Sequence, residues 1–425
     1  MPHTEDRFLN QVRETRPWPE RRLELEARFL EILAHAFSRS SAYQGIFKAA
    51  GIEPGRVRDL DDLPLLPIVR MSDLMEKQKE NPPFGGFETV AAEDIRRIYV
   101  NPGLLWQLED WSYQDTSWAE GLCGAGIKKG DRVLNTFNYH LWPYAFFLDE
   151  SARMIGATVI PAGVGNTLMQ VKVMQALKIN AFMGTPSFLN TLIQRAEGLG
   201  LNPTRDLFLN KAMVGAEMLP ESLRARLEEK LNLTIRQTYG TVFLGCLGYE
   251  CRYKTGLHVP DNLLIEVVDP HTGMPVEPGT PGEIVATNFN RGYPLIRFAT
   301  GDLSLFSRES CACGRSGLML AKVLGRVDQA TKVRGTFIHP WQTDGLMARF
   351  PEVFKYQVVV TRAEDLDVMT FYVELREDLA DTKALVGRLE RDIKEFLTIK
   401  GQAKVVPRGS IPDFHKKIED RRRWE

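Results

Sequence analysis

The stretch Asp131–Gly163 reads DRVLNTFNYHLWPYAFFLDESARMIGATVIPAG and contains one strand–helix–strand unit. The apolar runs Arg132–Phe137 and Thr158–Ala162 predict strands, and Ser151–Gly156 predicts part of the helix between them. The alternation continues to Gly240 at intervals of about 25 residues, which is typical of a parallel sheet covered by helices. The ligand site of such a sheet lies beyond the carboxyl ends of its strands. The further predicted strands are 180–185, 212–215 and 234–239, and the further predicted helices are 167–177, 187–196 and 220–231.

The alternation of strand-like and helix-like segments has ended by residue 255. The short β-type runs Asn262–Val268, Gly282–Asn288 and Leu295–Phe298 are divided by turn signals and predict an antiparallel subdomain at about residues 256–325. Two more β-rich runs and an amphipathic helix, capped by Asp381 or Thr382, predict a small α+β domain at residues 327–425. The predicted fold class is therefore α/β. A large N-terminal domain, residues 1–326, holds the parallel helix-covered sheet and the antiparallel β subdomain, and the small C-terminal domain follows it.

Composition excludes several classes of function. The 425 residues carry 54 Lys and Arg against 55 Asp and Glu, so a net charge of -1 gives no steering toward nucleic acid. We find no apolar run of the length that spans a membrane and no apolar segment at the N-terminus. Five cysteines in a chain of this length are typical of a reducing compartment, so we expect a cytoplasmic protein without a disulfide framework.

Three segments occur together in a recognisable order. The first runs from Tyr139 to Gln170 and contains GATVIP and GNT, the second is YPLIRFATGDL at 293–303, and the third is GRVD at 325–328 followed by KVRG at 332–335. In this order and spacing the segments resemble the adenylate-forming (acyl-CoA synthetase) enzymes, specifically the phenylacetate–CoA ligase branch. The likeness extends from about Ser40, through DDLP at 61–64, to Lys417, and so covers nearly the whole chain.

The resemblance implies an enzyme in which a carboxylate attacks the α-phosphate of ATP, after which a mobile small domain swings and a thiol accepts the acyl group. It implies that Asp302 binds the ribose hydroxyls, where the alternative is an ordinary turn aspartate. It places Arg326 with the nucleotide and Asp328 in the hinge, where the alternative is a surface ion pair. The positions that it places around the adenine and the acyl pocket are Tyr139, His140, Gly215, Ala216, Glu217, Tyr239 and Gly240.

The resemblance also places the adenylation lysine of the family near the C-terminus, at Lys417. An ammonium group there would neutralise the charge that builds up between carboxylate and α-phosphate. Lys416 precedes it, so the register is open by one residue. The alternative is an ordinary basic tail, because Lys416 and Lys417 belong to a charged cluster with the arginines at 421–423.

Four residues have the chemistry of a metal site. Cys251 and His258 are followed about fifty residues later by the Cys-x-Cys-Gly knuckle of Cys311 and Cys313, and three thiolates with one imidazole complete a closed tetrahedral zinc site. Some members of the family branch carry zinc at matching positions. The alternative is a set of reduced core cysteines with a surface histidine. The remaining two cysteines, Cys123 and Cys246, fit small buried apolar positions.

The sequence departs from the family where ATP phosphates and Mg²⁺ would bind. A loop rich in Ser, Thr and Gly should follow the predicted strand Ile98–Val100, but the chain reads NPGLLWQLED at 101–110, without a hydroxyl or a basic residue. Phe243 stands where the family has the Glu that organises Mg²⁺, and a phenyl ring cannot bind a hard cation. Ala299 stands where an arginine is frequent. Arg96 and Arg97 are the nearest replacement cations.

These departures leave three functions open. They favour an ATP-independent acyltransferase that moves an acyl group from CoA to another thiol, such as the phosphopantetheine arm of an acyl carrier protein. The alternative is an AMP-forming aryl- or acyl-CoA ligase with a divergent phosphate loop, and the third is a non-catalytic binding protein. We expect acyl-thioester binding without ATP-dependent acyl-adenylate formation, which leaves ATP and Mg²⁺ doubtful as cofactors. The aromatic residues between Phe137 and Phe146 have two explanations. They stack on a small aromatic acyl group, or they pack in the core. The oligomeric state, including a homodimer, is open.

Overall fold

The computed structural model describes residues 8–101, 104–307, 309–327, 331–333, 336–338, 340–363, 366–377, 381–397, 399–413 and 416–422. The chain divides into two compact units. The larger unit comprises residues 1–300 with 304–322, and the smaller unit comprises residues 301–303 with 323–425. The predicted α/β class is confirmed, and the predicted boundary at residue 326 stays a prediction.

The larger unit contains most of the helices and strands. Its helices are α1 (Gln11–Glu14), α2 (Trp18–Arg39), α3 (Ser41–Ala49), α4 (Met71–Glu80), α5 (Ser117–Gly124), α6 (Tyr144–Met154), α7 (Thr167–Ala176), α8 (Pro186–Gly198), α9 (Pro203–Asp206) and α10 (Glu221–Leu231). Its strands are β1 (Ile95–Asn101), β2 (Leu105–Asp110), β3 (Arg132–Asn135), β4 (Thr158–Pro161), β5 (Ala181–Gly184), β6 (Lys211–Val214), β7 (Thr234–Thr241), β8 (Gly245–Tyr249), β9 (Leu257–His258), β10 (Leu263–Val268), β11 (Gly282–Asn288) and β13 (Met319–Leu320). The strand β12 (Phe298–Ser304) is shared, because its residues 301–303 belong to the smaller unit.

The central sheet has the strand order β13-β9-β8-β7-β6-β5-β3-β4. The strands β4, β3, β5, β6 and β7 run parallel, as the alternation predicts, and β8, β9 and β13 continue the sheet antiparallel. The two short strands β9 and β13 lie within the predicted β subdomain of residues 256–325 but pair with the central sheet instead. Within that subdomain, β10 and β11 form the predicted antiparallel pair.

Side chains of the parallel strands are buried on both faces of the sheet. Leu134, Phe182, Ala212 and Ile235 lie at matching register on adjacent strands, and all four pack into the core that α7, α8 and α10 cover. Val133, Ala181, Met183 and Met213 face the other way and pack under α5 and α6. Burial on both faces explains the continuous apolar runs in the sequence.

The smaller unit has its own hydrophobic core. Its elements are β14 (Gly325–Arg326), β15 (Thr331–Val333), β16 (Thr336–Ile338), α11 (Pro340–Met347), β17 (Val353–Ala363), β18 (Leu366–Leu375), α12 (Thr382–Leu397), β19 (Gln402–Val405) and β20 (Ile418–Asp420). A four-stranded sheet has the order β19-β18-β17-β20. The apolar face of α12, formed by Leu385, Leu389, Ile393 and Leu397, packs into the core of this unit.

Candidate active site

The segment that follows β6 reaches the expected ligand edge of the central sheet. Gly215 has no room for a side chain, because an added Cβ would lie 2.8 Å from Thr238 Oγ1 of β7. Ala216 is exposed and adopts a left-handed φ of 65°, a conformation that non-glycine residues rarely take without a functional reason. The backbone therefore turns sharply at the end of β6 and presents Glu217 to solvent.

The Glu217 carboxylate lies at the start of α8. Ser187 donates hydrogen bonds to it from its Oγ atom, at 2.8 Å, and from its backbone N–H, at 3.3 Å. A carboxylate at a helix N-terminus is stabilised by the helix dipole. Thr185 caps this helix and Pro186 is its first residue. The Thr-Pro pair is a helix-start signal that is visible in the sequence, and it could have identified Ser187 as a residue at the ligand edge.

Tyr239 and Gly240 lie at the end of β7, where the register of its pairing with β8 shifts. Both are partly buried. An added Cβ at Gly240 would lie 2.5 Å from the carbonyl oxygen of Gly245 and 2.7 Å from the indole ring of the fully buried Trp118. Trp118 therefore packs directly against the backbone of Gly240, a contact that the sequence does not indicate.

The aromatic stretch that follows β3 divides into two groups. Phe137 and Tyr144 are buried and their ring centroids lie 5.0 Å apart, so for them the core-packing alternative holds. Tyr139 is partly buried, accepts a hydrogen bond from Asn135 and donates one to Asp149 at 3.0 Å. Burial and the Asp149 carboxylate raise the pKa of Tyr139, so its hydroxyl stays protonated. His140 is exposed.

A tight antiparallel hairpin of β1 and β2 occupies the place of the phosphate loop. Asn101 pairs with Leu105 at its end, Leu104 is 75% exposed with a φ of 58°, and Pro102 and Gly103 lie outside the described residues. Gln107 Nε2 donates to the carbonyl oxygen of Val242 at 2.9 Å and so fastens the hairpin to the segment after β7. The described part of the hairpin end is apolar and offers no hydroxyl group to a phosphate.

Three charged residues of the hairpin are paired inside the larger unit. Glu109 is buried and pairs with Arg96 at 3.1 Å and with Arg97 at 3.0 Å, and Tyr99 donates to it at 2.6 Å. Burial and the Glu109 carboxylate raise the pKa of Tyr99. Both arginines also pair with Glu150 of α6. Arg96 and Arg97 are therefore already neutralised and are poor replacements for the missing phosphate-binding lysine.

Phe243, at the position of the Mg²⁺-organising carboxylate, is 4% exposed. Its ring centroid lies 6.1 Å from that of Phe298. Ala299, where the family often has arginine, is also buried. Neither side chain can contribute a ligand or a charge to a bound nucleotide.

In the smaller unit, Asp302 and Arg326 meet. The Arg326 guanidinium donates to Asp302 Oδ1 at 3.1 Å, where the two residues pair across β12 and β14. Both residues that the resemblance assigns to the nucleotide thus form one ion pair, of which Arg326 is the more exposed partner. The predicted hinge residue Asp328 lies outside the described residues.

Lys417 forms a close ion pair within the smaller unit. Its ammonium nitrogen lies 2.5 and 2.6 Å from the two carboxylate oxygens of Asp344 in α11. The backbone N–H of Val358 donates to the carbonyl oxygen of Lys417 at 2.8 Å, just before β20 begins. Lys416 is exposed, and the described residues give it no ion pair. Asp344 was not identified from the sequence, because it lies 73 residues away from Lys417 in the chain.

The three cysteines and the histidine of the predicted metal site come together in the larger unit. One ligand atom from each of Cys251, His258, Cys311 and Cys313 lies within 4.8 Å of all the others. Cys251 Sγ and Cys311 Sγ are 3.5 Å apart, and Cys313 Sγ and His258 Nε2 are 3.4 Å apart. Hydrogen bonds from Cys251 and His258 lower the pKa of the Cys313 thiol, and the same contact between Cys251 and Cys313 raises the pKa of the Cys251 thiol. Distances and donor chemistry both fit a four-coordinate zinc ion.

The chain is similar to known proteins in both sequence and structure. The model of the AMP-binding enzyme family matches residues 142–290, and the model of the AMP-binding enzyme C-terminal domain matches residues 335–422. In structure, the chain superposes on an open conformation of 2-hydroxyisobutyryl-CoA ligase, in complex with 2-HIB-AMP and CoA, with a TM-score of 0.86 at 23% identity, covering 99% of this chain and 96% of that one. This likeness shows that the chain has the fold of the adenylate-forming enzymes.

Sequence relatives narrow the family further. A phenylacetate–coenzyme A ligase of Thermus thermophilus is 30% identical over 94% of this chain and 95% of its own length. The phenylacetate–coenzyme A ligase of Pseudomonas putida is 28% identical over 97% of this chain and 96% of its own length. The chain therefore belongs to the phenylacetate–CoA ligase-like branch of the adenylate-forming superfamily. None of the helices in the described ranges is long and apolar enough to cross a membrane.

Proposed function

We propose that this protein is an AMP-forming acyl-CoA ligase that joins a small carboxylic acid to CoA. The observation that carries the proposal is the 30% identity to a phenylacetate–coenzyme A ligase over 94% of the chain, because the match spans both units. The comparisons support this alternative better than the ATP-independent acyltransferase favoured from the sequence.

In the proposed reaction the acid's carboxylate oxygen attacks the α-phosphorus of ATP and pyrophosphate leaves. The thiol of CoA then attacks the acyl carbon, loses its proton, and AMP leaves. Asp302 would accept hydrogen bonds from the ribose hydroxyls, and Lys417 would stabilise the negative charge between the reacting oxygens. The segment from Gly215 to Glu217 and the end of β7 would border the adenine and the acyl group.

The test is AMP and pyrophosphate release with ATP, Mg²⁺, CoA and a panel of phenylacetate, benzoate and 2-hydroxyisobutyrate. We expect one or more of these acids to give a CoA thioester and stoichiometric AMP. Lys417→Ala should slow pyrophosphate release by about 100-fold, as loss of one electrostatic contact does elsewhere, while the matched Lys416→Ala should leave it within a fewfold. Absence of AMP with every acid would contradict the proposal.

Three observations favour a second candidate, acyl transfer from CoA to another thiol without ATP. The hairpin end offers no hydroxyl in its described part, Arg96 and Arg97 are paired with Glu109, and Phe243 replaces the metal carboxylate. The corresponding test supplies acyl-CoA and the phosphopantetheine thiol of a carrier protein and omits ATP. Transfer that survives Lys417→Ala would establish this function, and its absence together with AMP release would reject it.

We further propose that the four-residue cluster of Cys251, His258, Cys311 and Cys313 holds zinc in a structural role. Four protein ligands close the coordination sphere and leave no open position for substrate. The ion would fasten β9 and the knuckle near β13 to each other, and it would take no part in the acyl chemistry.

A further inference from the structure

We propose that Asp344 is a positioning residue for Lys417, and that Tyr356 fixes Asp344 for this purpose. The inference rests on the proposed ligase function, in which Lys417 acts during adenylation. Both carboxylate oxygens of Asp344 face the same ammonium nitrogen, at 2.5 and 2.6 Å. A contact of this kind holds the end of a long, flexible side chain at one point, whereas a lysine in solution samples many rotamers.

Asp344 is itself held by Tyr356, which lies on a different element. Tyr356 of β17 donates its hydroxyl to Asp344 Oδ1 at 2.5 Å, and the same hydroxyl lies 2.9 Å from Thr343 Oγ1. Burial and the Asp344 carboxylate raise the pKa of Tyr356, so the hydroxyl remains a donor at neutral pH. Thr343 is fully buried and donates to the carbonyl oxygen of Pro340, at the start of α11. The carboxylate is therefore anchored to α11 and to the sheet of the smaller unit.

The lysine end of the pair is anchored as well. The backbone of Lys417 is bonded to Val358, and the side-chain amide of Gln357 donates to the carbonyl oxygen of Lys416 at 3.1 Å. The Lys417 ammonium also lies 5.9 Å from the centre of the Tyr356 ring. An ammonium group has three N–H donors. Asp344 takes two of them, and among the described residues no hydrogen bond uses the third, which could donate to an oxygen of the substrate.

Exposed ion pairs usually contribute little to stability, and the side chains of this pair are 42% and 40% exposed. A function in stability alone is therefore a poor explanation for the pair. Positioning is a different effect, because a catalytic group that is already ordered loses less entropy when the reacting groups come together. The adjacent Lys416 has no such carboxylate partner in the described part of the chain and serves as the internal comparison.

The test separates the two half-reactions. Adenylation is followed as ATP–pyrophosphate exchange, and thioester formation is followed with preformed acyl-adenylate and CoA. We expect Asp344→Asn to slow exchange by about tenfold and to leave thioester formation unchanged, Tyr356→Phe to slow exchange less, and Asp344→Glu to restore part of the rate. Equal loss in both half-reactions, or no loss in either, would overturn the positioning role.

A second measurement is independent of the reaction. Limited acylation with acetic anhydride, read by mass spectrometry, should modify Lys417 less than Lys416 in the wild-type protein. Asp344→Asn should raise the reactivity of Lys417 severalfold and leave Lys416 unchanged. If Lys417→Ala leaves ATP–pyrophosphate exchange intact, the proposed role of Lys417 in adenylation is refuted. The ratio of Lys417 to Lys416 modification still shows whether the Asp344–Lys417 ion pair forms. An unchanged ratio would refute the pair itself.

Discussion

Removing the metal from the cluster of Cys251, His258, Cys311 and Cys313 should lower the thermal stability of the larger unit. The ion closes a loop of about fifty residues between His258 and Cys311, and the relation used for cross-links assigns such a closure roughly 4 kcal/mol. An unfolding entropy of about 2.1 cal/mol/K per residue gives a unit of about 320 residues roughly 0.7 kcal/mol/K. The expected decrease in Tm is therefore about 6 °C.

The assay is differential scanning calorimetry of the full chain with and without a strong chelator, beside metal analysis of the purified protein. We expect one zinc per chain, lost together with the stability in Cys311→Ser. The matched control is Cys123→Ser, in α5 and outside the cluster, which should keep its zinc. A protein purified at neutral pH without zinc, or a Tm that chelation does not change, would refute the reasoning.

Three further changes test the packing and the buried charges of the larger unit. Gly240→Ala places a methyl group 2.5 Å from the Gly245 carbonyl oxygen, so urea unfolding should show a loss of about 1–3 kcal/mol in the free energy of unfolding. Gly45→Ala in α3 has open space around it and should not destabilise the protein. Arg224→Met leaves buried Glu250 without the guanidinium that contacts both its oxygens at 2.7 Å. The same assay should show a loss of about 3–5 kcal/mol in the free energy of unfolding. A smaller loss would show that water reaches Glu250. Burial and Glu14 raise the pKa of Glu120 to about 8, so the folded protein keeps a proton that the unfolded chain loses near pH 4.5. Stability should therefore fall as the pH rises from about 5 to 8, and Glu120→Gln should flatten that slope; parallel slopes in the two proteins would contradict the assignment.

Local patterns in the sequence predicted many of the strands, but the strand predicted at Leu295–Phe298 is wrong. The observed β12 runs from Phe298 to Ser304, because its pairing with β14 extends it through the Thr-Gly-Asp segment. Gly282–Asn288 is a strand with the bounds that its apolar run and flanking turns predict, and the predicted strand 180–185 becomes β5 with its ends shortened. The helix predicted at Ser151–Gly156 is wrong in its start. It begins at Tyr144, because Pro143 can precede a first turn and the aromatic residues after it face the core.

Contacts between distant segments could not be predicted in this way. The apolar segment at 104–106 was visible in the sequence, but the partners of the charged residues beside it were not. Glu109 instead turns inward to Arg96 and Arg97, and Asp110 is also buried. The Asp344–Lys417 pair likewise depends on how α11 and β20 pack, which no local spacing encodes. The cysteine and histidine residues were a better guide to long-range contacts. Three thiols and one imidazole form a typical ligand set for zinc, so the four residues were expected to lie together, and they do.

The smaller unit is discontinuous in sequence, and this has a practical consequence. Residues 301–303, including Asp302, belong to it although they precede its main segment by about twenty residues. A fragment that starts at residue 323 would leave Arg326 without Asp302 and β14 without its partner strand. Domain exchange with a relative should therefore transplant residues 301–303 together with 323–425. A crossover placed between residues 303 and 323 would instead combine one parent's Asp302 with the other parent's Arg326.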